Sequence, residues 1–153
     1  MQRIRNILLI FTFISIINCG YSPLLTKGKN NFYIENLSIE GNRKINAQIS
    51  NGLKKYQISD DNFKKYDLKV ETSYEKKISN KDDDGNPKNF NLQVKALIIV
   101  KNSDGVEKNK SFSKNVSLSA ESKKITEKER EKKYIKDLSN LIVKDIIFFI
   151  SNN

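Results

Sequence analysis

The residue types that carry out most protein chemistry are scarce in this chain. Its 153 residues include no histidine and a single cysteine, Cys19. Without histidine the chain has no Ser-His-Asp triad, no Cys-His pair and no His-ligated zinc site, and one cysteine makes no internal disulfide. We therefore predict a protein that is not an enzyme and that uses no metal or cofactor.

An acidic stretch at residues 80–85, Asn-Lys-Asp-Asp-Asp-Gly, superficially matches the start of a calcium-binding loop. The bidentate Glu that such a loop needs at its twelfth position would fall on Asn91, and no helices are predicted on either side. We interpret the stretch as the acidic tip of a hairpin, and a weak surface cation site is the alternative.

The N-terminal 18 residues are typical of a secretory signal. Arg3 and Arg5 precede an apolar run from Ile7 to Ile17, which as a helix would span about 16 Å, well short of the ~30 Å hydrocarbon core of a bilayer. Ile16 lies three positions before Cys19, a spacing that resembles the bacterial lipobox. Residues 1–18 are thus predicted to be a lipoprotein signal peptide, with Cys19 as the lipidated (palmitate-bearing) residue. The alternative for Cys19 is an ordinary free thiol.

The predicted lipid anchor also indicates where the protein acts. Several acyl chains on Cys19 would hold it stably in a membrane, and residues 19–31 would be the anchor and a polar tether. The residue directly after the cysteine is Gly20, whereas an Asp at that position marks retention at the inner membrane. We therefore expect a periplasm-facing protein of the cell outer membrane. The chain carries 28 Lys+Arg against 18 Asp+Glu, and the polyanions available there are phosphorylated lipids and glycolipids rather than nucleic acid.

Residues 32–153 are predicted to form one α+β domain with the element order β-α-β-β-β-α. A first strand runs from Phe32 to Ile39, and a helix follows with apolar residues at Ile45, Ile49, Leu53 and Tyr56 and a cap at Asn42. Three segments then alternate between apolar and polar residues, which indicates antiparallel strands with one buried face. A final helix carries apolar residues from Tyr134 to Phe149, with a capping box at Thr126 and Glu129. We predict a two-layer sandwich in which two helices pack on one face of a four-stranded, mainly antiparallel sheet.

Short motifs in this order resemble a known family. Residues 19–24, Cys-Gly-Tyr-Ser-Pro-Leu, are similar to the opening of the lipopolysaccharide-assembly lipoprotein LptE family. The first strand through Gly41-Asn42-Arg43 and the helix segment Glu129-Arg130-Glu131 also resemble that family, particularly its alphaproteobacterial branch. The resemblance implies a domain with a small sheet and two helices on one side of it.

The same resemblance implies the partners and the role. It implies an outer-membrane lipoprotein that forms the plug of the LptD β-barrel and assists the insertion of lipopolysaccharide at the outer membrane. Because several ammonium groups must converge to bind phosphate, we expect Lys76, Lys77 and Lys81 to contact lipopolysaccharide phosphates. The alternative is a lipid-anchored periplasmic adaptor of another envelope complex, with no glycolipid ligand.

Overall fold

The computed structural model describes residues 32–58 and 63–152. The predicted signal peptide, the tether and Cys19 lie outside these residues. The elements within them are β1 (Phe32–Gly41), α1 (Arg43–Leu53), a 3-10 turn (Lys54–Tyr56), β2 (Lys64–Lys81), β3 (Pro87–Asn102), β4 (Glu107–Ser119) and α2 (Lys124–Ser151). The predicted order of strands and helices is confirmed.

The four strands form one mixed sheet in the order β1-β2-β3-β4. β2 pairs with β3, and β3 with β4, in antiparallel register, whereas β1 pairs with β2 in parallel. A parallel pair needs a crossover connection, and α1 supplies it between β1 and β2. The sheet is therefore mainly antiparallel, as predicted, with one parallel pair at its edge.

The acidic stretch forms the turn between β2 and β3. The Gly85 amide donates to the Asp82 carbonyl at 3.0 Å, and the Asn86 amide donates to the Asp82 carboxylate at 2.7 Å. Gly85 has a φ of 83°, a conformation that glycine adopts at no steric cost. Strands flank this turn on both sides, which agrees with the prediction of a hairpin tip.

The hydrophobic core lies between the sheet and the two helices. The predicted alternation is confirmed, because every second residue from Tyr66 to Thr72 of β2 and from Phe90 to Val100 of β3 is buried against the helices while its neighbours face the other way. The hydrophobic residues with no more than 2% exposure are Ile34, Ile45, Ile49, Leu53, Leu68, Val70, Leu92, Val94, Ala96, Ile98, Leu118, Ile142, Ile146 and Ile150. Both helices therefore cover the same face of the sheet, as the two-layer prediction requires.

The two helices begin in different ways. The Asn42 side chain accepts hydrogen bonds from the amides of Lys44 and Ile45, which confirms the predicted cap of α1. The capping box at Thr126 and Glu129 is wrong, because α2 begins at Lys124, with Lys123 as a cap residue that makes no side-chain hydrogen bond.

The Glu127 side chain links the start of α2 to the rest of the domain. Its carboxylate accepts from the Glu121 amide at 3.3 Å and from Lys76 of β2 at 2.9 Å. Contacts with the sheet and with the segment before the helix therefore fix this helix start, and the predicted capping box does not. None of the helices in residues 32–58 and 63–152 has the length and apolar character needed to cross a membrane.

Candidate functional site

One face of the sheet is polar and lies opposite both helices. We call it the polar sheet face. Its polar residues include Asn36, Ser38, Glu40, Asp67, Lys69, Glu71, Ser73, Glu75, Lys77, Asn91, Gln93, Lys95, Lys101, Glu107, Asn109, Ser111, Ser113, Asn115 and Ser117. Leu97, which is 40% exposed, and Ile99 add apolar side chains. Within the described ranges, no helix or further strand packs on this face.

Side chains on the polar sheet face bond to one another across the strands. Asn36 of β1 donates to Asp67 of β2 at 2.8 Å, and Gln93 of β3 donates to Ser113 of β4 at 3.0 Å. Lys69 lies 3.1 Å from Glu71, and this hydrogen bond raises the pKa of Lys69. These pairs offer donors and acceptors at fixed positions, so the face is suited to contact another polar surface.

The three predicted lysines do not form one patch. Lys76 and Lys77 are neighbours in β2, so their side chains point to opposite faces of the sheet. Lys77 is 68% exposed on the polar sheet face, where it pairs with Glu75 at 2.9 Å. Lys81 is the last residue of β2 and is exposed beside the hairpin tip. Lys76 points towards α2.

Lys76 is the centre of an ion cluster between the sheet and α2. We call Tyr74, Lys76, Glu127 and Glu131 the Lys76 cluster. The Lys76 ammonium lies 2.9 Å from a carboxylate oxygen of Glu127 and 2.9 Å from one of Glu131. It also lies 4.2 Å from the ring centroid of Phe90, and the Tyr74 hydroxyl donates to Glu131 at 2.8 Å. Only 24% of the Lys76 side chain is exposed.

The pKa shifts in the Lys76 cluster all favour the ion pairs. Burial works against the charge of Lys76, but its hydrogen bonds to Glu131 and Glu127 raise its pKa. The hydrogen bond from Lys76 lowers the pKa of Glu127 in spite of burial. Burial also opposes the charge of Glu131, yet hydrogen bonds from Lys76 and Tyr74 lower its pKa. Burial and the nearby Glu131 raise the pKa of Tyr74. Lys76, Glu127 and Glu131 thus stay ionised while Tyr74 stays protonated, and the cluster holds α2 on the sheet.

A second charged site lies between the two helices. It is a groove of about 590 Å³ whose cations are Arg43 and Lys44 of α1 and Lys132, Lys133 and Lys136 of α2. We call it the basic groove. Its remaining lining residues are Ala47, Gln48, Glu129 and Ile135. The pair Lys132-Lys133 stands out in the sequence, but its proximity to Arg43 and Lys44 depends on the packing of α1 beside α2, so sequence patterns did not reveal the groove.

Comparison with known proteins identifies the fold. No protein-family model and no curated protein matches this sequence. Solved structures do match. The crystal structure of the rare lipoprotein B from Shewanella oneidensis aligns with a TM-score of 0.65 at 10% sequence identity, over 78% of this chain and 94% of that one.

Two further structures match in the same way. A minor lipoprotein from Acinetobacter baumannii aligns with a TM-score of 0.56 at 16% identity, over 81% of this chain and 92% of that one. The lipoprotein B from Nitrosomonas europaea aligns with a TM-score of 0.58 at 12% identity, over 80% of this chain and 86% of that one. The chain therefore has the fold of these lipoproteins, a four-stranded sheet with two helices on one side, which is the arrangement that the sequence resemblance implies.

Proposed function

We propose that this chain is a lipid-anchored, periplasm-facing protein of the cell outer membrane. In this proposal it forms the plug of an LptD-type β-barrel and assists lipopolysaccharide assembly there without catalysing a reaction. The observation that carries the proposal is a polar sheet face that no helix or strand of residues 32–58 and 63–152 covers, in a chain with the fold of rare lipoprotein B. The similarity to LptE at residues 19–24 supports it.

The shape and chemistry of the sheet support a role inside a barrel. The interior of an outer-membrane barrel is polar, and the polar sheet face offers amide, hydroxyl, ammonium and carboxylate groups from all four strands. β3 has 16 residues, and at ~3.3 Å per residue such a strand is about twice as long as the ~25 Å apolar band of a barrel. A sheet of this length is able to contact a barrel wall over its full height.

The lysines of the hairpin end are the proposed contacts for lipopolysaccharide phosphates. Lys77 and Lys81 present exposed side chains there. Lys76 would have to leave Glu127 and Glu131 before it could bind a phosphate. We therefore expect Lys77→Glu and Lys81→Glu to weaken binding of purified lipopolysaccharide in a salt-dependent manner, because exposed charges are screened by salt. Equal affinity of the variants and the parent chain at low salt would remove these two lysines from the proposal.

Co-purification tests the barrel partner. Detergent extraction of the tagged chain should recover a large β-barrel protein in near-equal amount. Ser73, Lys95 and Ser113 lie side by side in the centre of the polar sheet face, so Ser73→Tyr with Ser113→Tyr should abolish the recovery. Asn140→Tyr, on the exposed side of α2, is the matched control and should leave it intact.

The alternatives give different results in the same experiment. A soluble or inner-membrane partner in place of the barrel would favour an adaptor of another envelope complex.

Mass spectrometry of the N-terminal peptide tests the anchor: we expect a diacylglycerol thioether and an acyl amide on Cys19, and Cys19→Ser should lose both. An uncleaved chain with a free thiol would contradict the proposal.

A further inference from the structure

The basic groove combines a concentration of positive charge with an apolar floor. Five cations and one carboxylate line it. No ion pair within residues 32–58 and 63–152 involves Arg43, Lys44, Lys132, Lys133 or Lys136. The excess of four positive charges is therefore not neutralised by the described part of the chain, although Lys44 lies close enough to lower the pKa of Glu131.

Two elements bring these cations together. Arg43 and Lys44 form the start of α1, whose first turn contains no acidic residue. Lys132, Lys133 and Lys136 are spaced by one, three and four positions, which places them on one side of α2. The side chains are exposed, so they are free to reach a ligand. The fold thus concentrates charge from two separate segments at one opening.

The bottom of the groove is apolar. Ala47 of α1 and the buried Ile135 of α2 line it, together with the aliphatic stems of the lysines, which cover apolar surface while their charged ends stay in water. A free phosphate ion would use the cations but leave this apolar floor uncovered. The groove therefore suits a ligand that has both anionic and hydrocarbon parts.

We propose that the basic groove binds an acylated saccharide that carries more than one phosphate, with its phosphates on the cations and an acyl chain on the floor. This inference rests on the proposed function, which supplies lipopolysaccharide as a ligand of that chemistry. Two phosphomonoesters carry together a charge of about −3 to −4, which matches the excess of four. A phospholipid with one phosphodiester would leave most of the cations unpaired, and an acidic peptide would leave the apolar floor uncovered.

The groove lies at the same end of the domain as the hairpin lysines. α1 begins at Arg43, two residues after Gly41, which pairs with Thr72 at the middle of β2. Glu131, one residue before Lys132, is bound to Lys76 of the same strand. A ligand in the basic groove would therefore lie towards the hairpin end, where Lys81 is also exposed. The groove adds proposed phosphate contacts on the helix side of the sheet, whereas Lys77 lies on the polar sheet face.

Binding of purified lipopolysaccharide to the full chain tests the inference. The variant Lys132→Gln, Lys133→Gln, Lys136→Gln removes three cations that make no described ion pair and keeps residues that favour helices. We expect it to bind about 10- to 100-fold more weakly at low salt, since each exposed charged contact contributes a factor of roughly two to five. Substituting the same three residues by Arg should preserve the affinity.

The matched control removes three exposed lysines elsewhere. Lys54→Gln, Lys101→Gln, Lys144→Gln changes the net charge by the same amount outside the groove, and we expect it to bind nearly as well as the parent chain. Circular dichroism verifies that each variant is folded. Dephosphorylated lipopolysaccharide should bind the parent chain about as weakly as the intact glycolipid binds the groove variant.

Other results of these binding experiments would refute the groove, the ligand class or the proposed function. Equal loss of affinity in the groove and control variants would mean that net charge alone acts and that the groove is not the site. Full affinity of the groove variant would refute the groove while leaving the proposed function in place. If the parent chain bound phosphatidylglycerol vesicles more tightly than lipopolysaccharide at equal phosphate, the ligand class would be wrong. No binding of lipopolysaccharide by the parent chain would refute the glycolipid part of the proposed function itself.

Discussion

Replacing Lys76 by Met should destabilise the domain, because the Lys76 cluster would keep two carboxylates with no cation between them. The substitution keeps a chain of similar length beside Phe90 and removes only the ammonium. Glu127 is 6% exposed and Glu131 21% exposed, so water would solvate their charges poorly. The expected consequence is a loosened contact between the start of α2 and the sheet.

The expected loss of stability follows from the exposure of Lys76, Glu127 and Glu131. Removing one partner of a fully buried ion pair costs about 3–5 kcal/mol, whereas an exposed pair contributes about 0–1 kcal/mol. Lys76 is 24% exposed, and its contact with Phe90 adds roughly 0.5–1 kcal/mol. We expect the free energy of unfolding to fall by about 2–3 kcal/mol, between these two limits.

Urea-induced unfolding followed by circular dichroism measures this change. The matched control is Lys77→Met, which removes the next ammonium in the same strand, where it is 68% exposed and pairs only with the half-exposed Glu75. The control should cost no more than about 0.5 kcal/mol. If the two variants lost the same stability, the Lys76 cluster would contribute no more than an ordinary surface pair, and the reasoning would be wrong.

Three further predictions concern pH and packing. The pKa of Glu127 and of Glu131 is lowered from an ordinary value of 4.5, so their stabilisation is present above that pH and is lost as the pH falls. In urea titrations, the difference in free energy of unfolding between the parent chain and a variant without the Lys76 ammonium should therefore shrink below pH 4.5. A difference that stayed constant with pH would contradict this. Gly52→Ala should lower the melting temperature, because the added Cβ would lie 2.8 Å from a Val143 methyl. Such overpacking costs about 1–3 kcal/mol, against a gain of ~1 kcal/mol in helix propensity. In a Val143→Ala background Gly52→Ala should instead be stabilising, and a rise in melting temperature from Gly52→Ala alone would refute the close approach. Asn42→Ala should cost about 1 kcal/mol in urea unfolding, whereas Asn42→Asp should be nearly neutral, and equal losses would exclude the capping role.

The Lys76 prediction also affects how binding experiments are read. Lys76 was expected from its sequence position to contact lipopolysaccharide together with Lys77. Because its ammonium is bound by two carboxylates, a variant at Lys76 should change stability as well as any ligand contact. Lys77, Lys81 and the lysines of the basic groove are therefore the positions at which binding is measured without that complication.

The order of elements and the buried faces followed from local patterns. A period of two in β2 and β3 and a period near 3.6 in α2 depend only on which neighbours share a face, so they are visible in the sequence. The cap at Asn42 and the turn at Gly85 are local as well, because each depends on bonds within a few residues. These features were predicted correctly for that reason.

Other features depend on which distant segments meet, and only the tertiary structure decided them. The parallel pairing of β1 with β2, the two carboxylates on Lys76 and the meeting of Arg43 with Lys132 all join residues that lie far apart in the chain. The start of α2 at Lys124 also depends on the sheet, since Glu127 bonds to Lys76 there. Local periodicity determines the face on which a side chain lies, but the packing of the elements determines what that side chain meets.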